Sequence, residues 1–196
     1  TSTSIFELPR VERWASDRGL KEHHLKTIYH VAMHSTVEAN NFEETLRQAD
    51  FPYKHAAALV QELSLITCRV VETRTSTSGG VKIVVELPTG SLVETVLIRH
   101  TRQSEGEQNT RYTVCVSSQV GCAKACSFCA TGTMGLLAHL SSAEILEQVW
   151  LARSLLPSPN DLRNVVFMGM GEPLDLDSNG QASVAGTIGG CHGLSR

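Results

Sequence analysis

Apolar residues recur at three- and four-residue spacing through the first third of the chain and at alternate positions in the stretch that follows. Helices are therefore expected to give way to strands near residue 66. Pro9–Arg18 fits a short helix with proline in its first turn and Gly19 as its stop, and Lys21–His34 sets Leu25, Ile28, Tyr29 and Ala32 on one face. Phe42, Leu46 and Ala49 continue the pattern, and Pro52 opens a further helix through Leu59, Val60 and Leu63. Residues 1–66 thus read as a small amphipathic helical domain.

The period then changes. Cys68–Thr73, Val81–Leu87 and Leu92–Ile98 are β-branched runs separated by Ser78-Gly-Gly80 and Pro88-Thr-Gly90, a β-meander within residues 67–110 that ends in a polar loop, Arg99–Thr110. Strand alternation puts Glu94 on the side of Leu92, Val96 and Ile98. A carboxylate on an apolar face is costly unless it is paired or used, so Glu94 is a candidate proton acceptor. The alternative is a solvent-facing strand edge with Glu94 in water.

Tyr112–Val116 reads as a strand and Asn164–Met168 as a second one. Between them Ser141-Ser-Ala-Glu144 is a capping box, opening a helix with Ile145, Leu146, Val149 and Trp150 on its buried stripe and Pro157 and Pro159 as its end. Strand, loop, helix, strand over residues 111–176 is one βαβ unit. The fold class expected is α/β, the first part of a (β/α) barrel preceded by the helical domain and the meander, with chemistry at the carboxyl ends of its strands. Residues 177–196 are rich in Gly and Ser, show no period and are expected to be disordered, with Cys191 a free thiol and His192 solvated.

Composition narrows this little. The chain has 196 residues, 41% of them hydrophobic, enough for one core, and a net charge of -3 that gives no overall electrostatic footprint for nucleic acid. No apolar run is long enough to cross a bilayer, and the start Thr1-Ser-Thr-Ser lacks the features of a signal peptide. A cytoplasmic protein that does not enter a membrane is expected, or an organellar one if a transit segment precedes this start. Six cysteines, three of them crowded together, suit a reducing compartment and a metal rather than a disulfide framework.

Those three, Cys122, Cys126 and Cys129, are the most informative residues of the chain. Three soft thiolates on one short loop fit an iron–sulfur cluster that keeps one iron open for a cofactor. A zinc site with Cys115 as fourth ligand and a set of inert buried thiols are the alternatives. Gly169-Met-Gly-Glu-Pro173 follows the second strand, where ligand loops belong in a parallel sheet, and its Glu172 carboxylate can accept hydrogen bonds from an ammonium group. Alone, Gly-Glu-Pro is also an ordinary turn.

Together, Cys115-Val-Ser-Ser-Gln-Val-Gly-Cys122, the continuation through Cys126 and Cys129-Ala-Thr-Gly, and Gly169-Met-Gly-Glu-Pro173 resemble the RlmN/Cfr family of radical S-adenosylmethionine (SAM) RNA methyltransferases. The likeness runs from about Leu8 to about Leu174 and is densest between Glu94 and Pro173. It implies a 4Fe-4S cluster on Cys122, Cys126 and Cys129, and S-adenosyl-L-methionine with its amino group on Gly171 and Glu172. It implies Glu94 as acceptor of the proton leaving the adenine carbon, and Cys115 as the thiol that resolves a covalent enzyme–RNA adduct with a methyl-carrying cysteine far downstream. The product implied is 2-methyladenine in ribosomal RNA, with transfer RNA a further substrate and methylation at C8 a near variant. A monomer served by an electron donor is implied, with RNA handling by the N-terminal helices. From Asp177 onward the sequence departs from the family pattern and matches no downstream catalytic cysteine. The chain is thus expected to be C-terminally truncated, and a catalytically incomplete form that binds only a cluster or RNA is the alternative.

Overall fold

The computed structural model describes residues 3–34, 41–104, 107–175 and Thr187. Helices α1 (Leu8–Ser16), α2 (Glu22–His34), α3 (Phe42–Gln48) and α4 (Tyr53–Glu62) form where the apolar spacing places them. Proline sits in the first turn of α1, whose Val11, Trp14 and Ala15 are buried. Ile28, Val31, Ala32 and Met33 of α2 join Phe42, Leu46, Ala56 and Leu59 in the same core. Two short strands, β1 (Thr3–Ser4) and β2 (Leu63–Ser64), pair in parallel and close the helical part on itself.

The meander follows as β3 (Arg69–Thr75), β4 (Val81–Glu86) and β5 (Leu92–Ser104), then β6 (Glu107–Cys115). The segment expected as a polar loop, Arg99–Thr110, is instead strand at Arg99–Ser104 and at Glu107–Thr110. β5 continues to Ser104 and pairs antiparallel with β6 from Val96↔Cys115 out to Ser104↔Glu107. A two-stranded ribbon satisfies its own backbone hydrogen bonds, so it needs no apolar face and polarity alone misled the expectation.

A small hairpin, β7 (Gln119–Cys122) and β8 (Gly135–His139), was not expected at all. It frames the cysteine loop at its base. Helix α5 (Ser142–Ser154) starts at the expected capping box: the Ser141 hydroxyl accepts from the Glu144 N–H while the Glu144 carboxylate accepts from the Ser141 N–H. It leads to β9 (Leu162–Val166), which adds to β6 in parallel. The main sheet has five strands in the order β3-β4-β5-β6-β9. Among the described residues that is one βαβ step on an antiparallel meander, a mixed α/β fold, and the sheet does not close into a barrel.

α5 lies between the sheet and the helical part, which explains why it is buried nearly all round rather than along one stripe. Trp150 Nε1 donates to the Ala32 carbonyl 2.8 Å away, and the Arg153 guanidinium donates to the carbonyls of Met33 and Pro159. Glu147, fully buried, accepts from the Thr67 N–H, the Thr67 hydroxyl and the Cys68 N–H at 2.8, 2.9 and 2.6 Å. Three donors on one carboxylate make its burial tolerable and pin the chain where it passes from helices to sheet.

Burial, reinforced by the Glu147 carboxylate, holds the Cys68 thiol well above its usual range. An unfolded thiol titrates near 8.5, so the fold keeps its full stability below about pH 8.5 and loses it as pH rises, by up to ~1.4 kcal/mol per pH unit for this thiol until it ionises in the fold too. Urea midpoints are expected to stay level from pH 7 to about pH 8.5 and to fall from there to pH 10, and the fall to lessen in Cys68→Ala. Among the described residues no helix is long and apolar enough to cross a membrane.

Candidate active site

The five-stranded sheet has one face packed on α5 through Val93, Thr95, Leu97 and Val114, all fully buried. The opposite face carries Glu94 and Cys115. Val96 stands directly opposite Cys115 across β5 and β6, and Cys115 opposite Val166 across β6 and β9. Glu94, two residues before Val96, is therefore the diagonal neighbour of Cys115. This face is open: Leu92 is 49% and Ile98 40% exposed. Glu94 is half-exposed and ion-paired with Lys82 from β4, not stranded among apolar groups. Cys115, at 9% exposure, is the most enclosed group there, and burial raises its thiol above the usual range.

β6 ends at Cys115, and the residues just after it organise everything else. The Ser117 hydroxyl donates to the Glu94 carbonyl at 2.6 Å and accepts from the Met170 N–H at 2.9 Å. Gln148 of α5, fully buried, accepts at one oxygen from the Thr95 hydroxyl and the Ser117 N–H and returns a bond from its nitrogen to the Ser117 carbonyl. The N–H groups of Ser118 and Gln119 both donate to the Met170 carbonyl, and the Gln119 side-chain oxygen accepts from the Glu172 N–H at 2.9 Å. One short segment thus locks the Glu94 strand, α5 and the 168–172 turn into a unit. Sequence reading missed Ser117, Gln119, Gln148 and Lys82. The first two lay inside the motif between Cys115 and Cys122, as polar residues directly after a strand.

The turn itself depends on its glycines. Gly171 has φ +105°, in the region that favours glycine, and a Cβ there would stand 2.6 Å from Gln119 Cβ. Glu172 is half-buried; its Oε1 accepts from the Leu174 N–H at 3.1 Å, and its other oxygen has no partner among the described residues. Lys124 of the cysteine loop meets Asp175 at 2.6 Å, and that hydrogen bond holds the Asp175 carboxyl below its usual range.

The cysteine loop leaves β7 at Cys122, which is buried, and runs through Cys126, exposed, and Cys129, partly exposed. Among the described residues no three His, Cys, Asp or Glu side chains are gathered into a metal-holding group, so the thiols share a loop without converging. The donor set nonetheless fits an iron–sulfur cluster. Three thiols lie on one loop, and backbone N–H groups are aimed at sulfur. Those of Gly132 and Thr131 hold the Cys129 thiol below its usual range, and that of Lys124 lies 3.5 Å from Cys122 Sγ. Phe128, Met168 and Leu174 nearby are 90%, 81% and 73% exposed. Cys191 and His192, expected to be solvated, lie outside the described residues.

No family model matches the chain. It is 36% identical over 169 residues to a probable dual-specificity RNA methyltransferase RlmN of Rhodopirellula baltica, covering 86% of this chain and 42% of the relative. It is 47% identical over 126 residues to the dual-specificity RNA methyltransferase RlmN of Nitratidesulfovibrio vulgaris, covering 62% of this chain and 34% of that one. A radical SAM methyltransferase from Sphaerobacter thermophilus, of known crystal structure, matches with a TM-score of 0.71 at 29% identity, over 97% of this chain and 52% of that one. The chain therefore spans between a third and about two-fifths of the length of these curated relatives. Over that span it belongs to the RlmN-like family.

Proposed function

We propose that this chain carries the cofactor-binding part of a radical SAM RNA methyltransferase that forms 2-methyladenine in ribosomal RNA, with transfer RNA as a further substrate. The observation that supports it most is the union of four features through Ser117–Gln119: the Glu94 strand, Cys115, the cysteine loop and the 169–172 turn. Cys122, Cys126 and Cys129 would hold a 4Fe-4S cluster; when bound, with an electron donor, it supplies the one-electron chemistry that cleaves SAM.

The protein's own residues bind and orient. Gly171 lets the turn pack against Gln119, where a Cβ would clash, and so sets Gly171 and Glu172 to meet the SAM amine, from which the unpartnered Glu172 oxygen accepts a hydrogen bond. Glu94, held in an ion pair with Lys82, is poised to take the proton that leaves the adenine carbon. Cys115, next to it on the same face, is assigned the resolving thiol. The working unit in this reading is a monomer, with chemistry at the carboxyl ends of β6 and β9.

The test supplies methyl-labelled SAM, a reductant and ribosomal RNA to the anaerobically reconstituted chain joined to a downstream segment that carries the methyl-bearing cysteine. Label is expected in 2-methyladenine and is expected to vanish in Glu94→Gln and Cys115→Ala. Cluster and SAM held without label in RNA would replace this reading by one in which the chain binds but does not turn over.

A further inference from the structure

The β3–β4 turn folds back over β5 and borders an open groove of about 410 Å3 beside the candidate site. Its walls carry Arg74, Ser76, Lys82 and Arg99, and its floor Val96 and Ile98. The place is set by register. Val96 is directly opposite Cys115, and Lys82, opposite Val96, pairs with Glu94. From Glu94 to Val96 is about 7 Å along the strand, the reach of one nucleotide.

The lining has the chemistry of a nucleotide. Arg74 and Lys82 have carboxylate partners, Glu72 and Glu94, but Arg99 has none among the described residues. Its side chain lies along Gly79, where a Cβ would stand 2.9 Å from Arg99 Cδ and Nη1, so the turn closes on the arginine because residue 79 is glycine. A guanidinium with an open fork binds phosphate bidentately, and half-exposed Val96 and Ile98 offer an apolar surface to a base or ribose. The volume falls within the range of small-ligand sites.

We propose that this groove takes the nucleotide adjoining the target adenine in a single-stranded RNA segment, its phosphate on Arg99 and Arg74 and its base against Val96 and Ile98. That the adenine itself lies at Glu94 rests on the function proposed above; the binding does not. The test is fluorescence anisotropy of a labelled single-stranded, adenine-containing RNA hexamer with the 196-residue chain. In Arg74→Ala/Arg99→Ala, affinity is expected to fall about tenfold. The slope of log affinity against log salt is expected to flatten by about one, since each phosphate contact contributes about -0.7 for a single strand. Arg74→Lys/Arg99→Lys is expected to keep the slope, and adenosine monophosphate to compete with the hexamer. Both substituted positions are exposed, and Arg99→Ala alone supplies the same comparison should the double variant fail to fold. Unchanged affinity and slope in the alanine variants, or no binding by the unsubstituted chain, would overturn the proposal. Iron and SAM binding, measured on the same samples, keep the two readings separate. Their loss with RNA binding intact counts against the cluster, and their presence with RNA binding unaffected by the variants counts against the groove.

Discussion

Gly121→Ala is expected to cost the chain both stability and its capacity for iron. Gly121 has φ +77°, and a Cβ built there would stand 1.8 Å from the backbone oxygen of Gly135 on β8. That atom belongs to the partner strand of the hairpin, in the register Gly121↔Leu136 and Cys122↔Gly135, so no rotamer change can clear it and the two strands must part. Left-handed backbone alone costs an alanine about 1–2 kcal/mol. The forced opening raises the total to roughly 4 kcal/mol, in the range reserved for named backbone and packing faults. Because Cys122 is the next residue and the hairpin frames the cysteine loop, the thiols lose their common base. Gly19→Ala and Gly90→Ala are the controls: φ is positive at both, with nothing within 4 Å of the added carbon, so each is expected to show only the conformational share and to keep its iron. Urea denaturation and metal content, measured side by side, check the contrast.

Gln148→Leu is the second large effect. Leucine is similar in size, so the cost is not a cavity but the bonds removed. The Thr95 hydroxyl, the Ser117 N–H and the Ser117 carbonyl would all be left without Gln148 in a buried layer. Each orphaned buried group costs on the order of 1–3 kcal/mol, which puts the loss at about 3 kcal/mol or more. The damage extends beyond stability, since Ser117 also bridges the Glu94 carbonyl and the Met170 N–H. SAM affinity is therefore expected to fall in Gln148→Leu even at temperatures where the protein is folded. A surface change such as Gln48→Leu on α3 is expected to alter neither.

The contrast between these residues and those visible in the sequence has a physical basis. The helices were legible because their apolar spacing repeats over several turns, and α5 because its capping box is a local device. The outer part of the β5 and β6 pairing was not, since its run of polar residues from Arg99 to Thr110 has no hydrophobic alternation to display. The hairpin of β7 and β8 is held by glycine geometry rather than by side-chain pattern. Within the site, Cys122, Cys126, Cys129 and Glu172 announce themselves through donor chemistry and spacing. Ser117, Gln119 and Gln148 could not, because their role exists only once the 168–172 turn returns beside residues 117–119. Glu94 was singled out by strand alternation, but the pattern could not show that its face is open or that Lys82 from the next strand pairs with it.

Counting metal in the anaerobically reconstituted chain tests the central claim most directly. The cluster reading predicts about four irons with matching sulfide per chain, lost when Cys122, Cys126 and Cys129 are replaced by alanine and kept in Cys115→Ala. Stoichiometric zinc in the purified protein, or iron that survives the triple replacement, would contradict it.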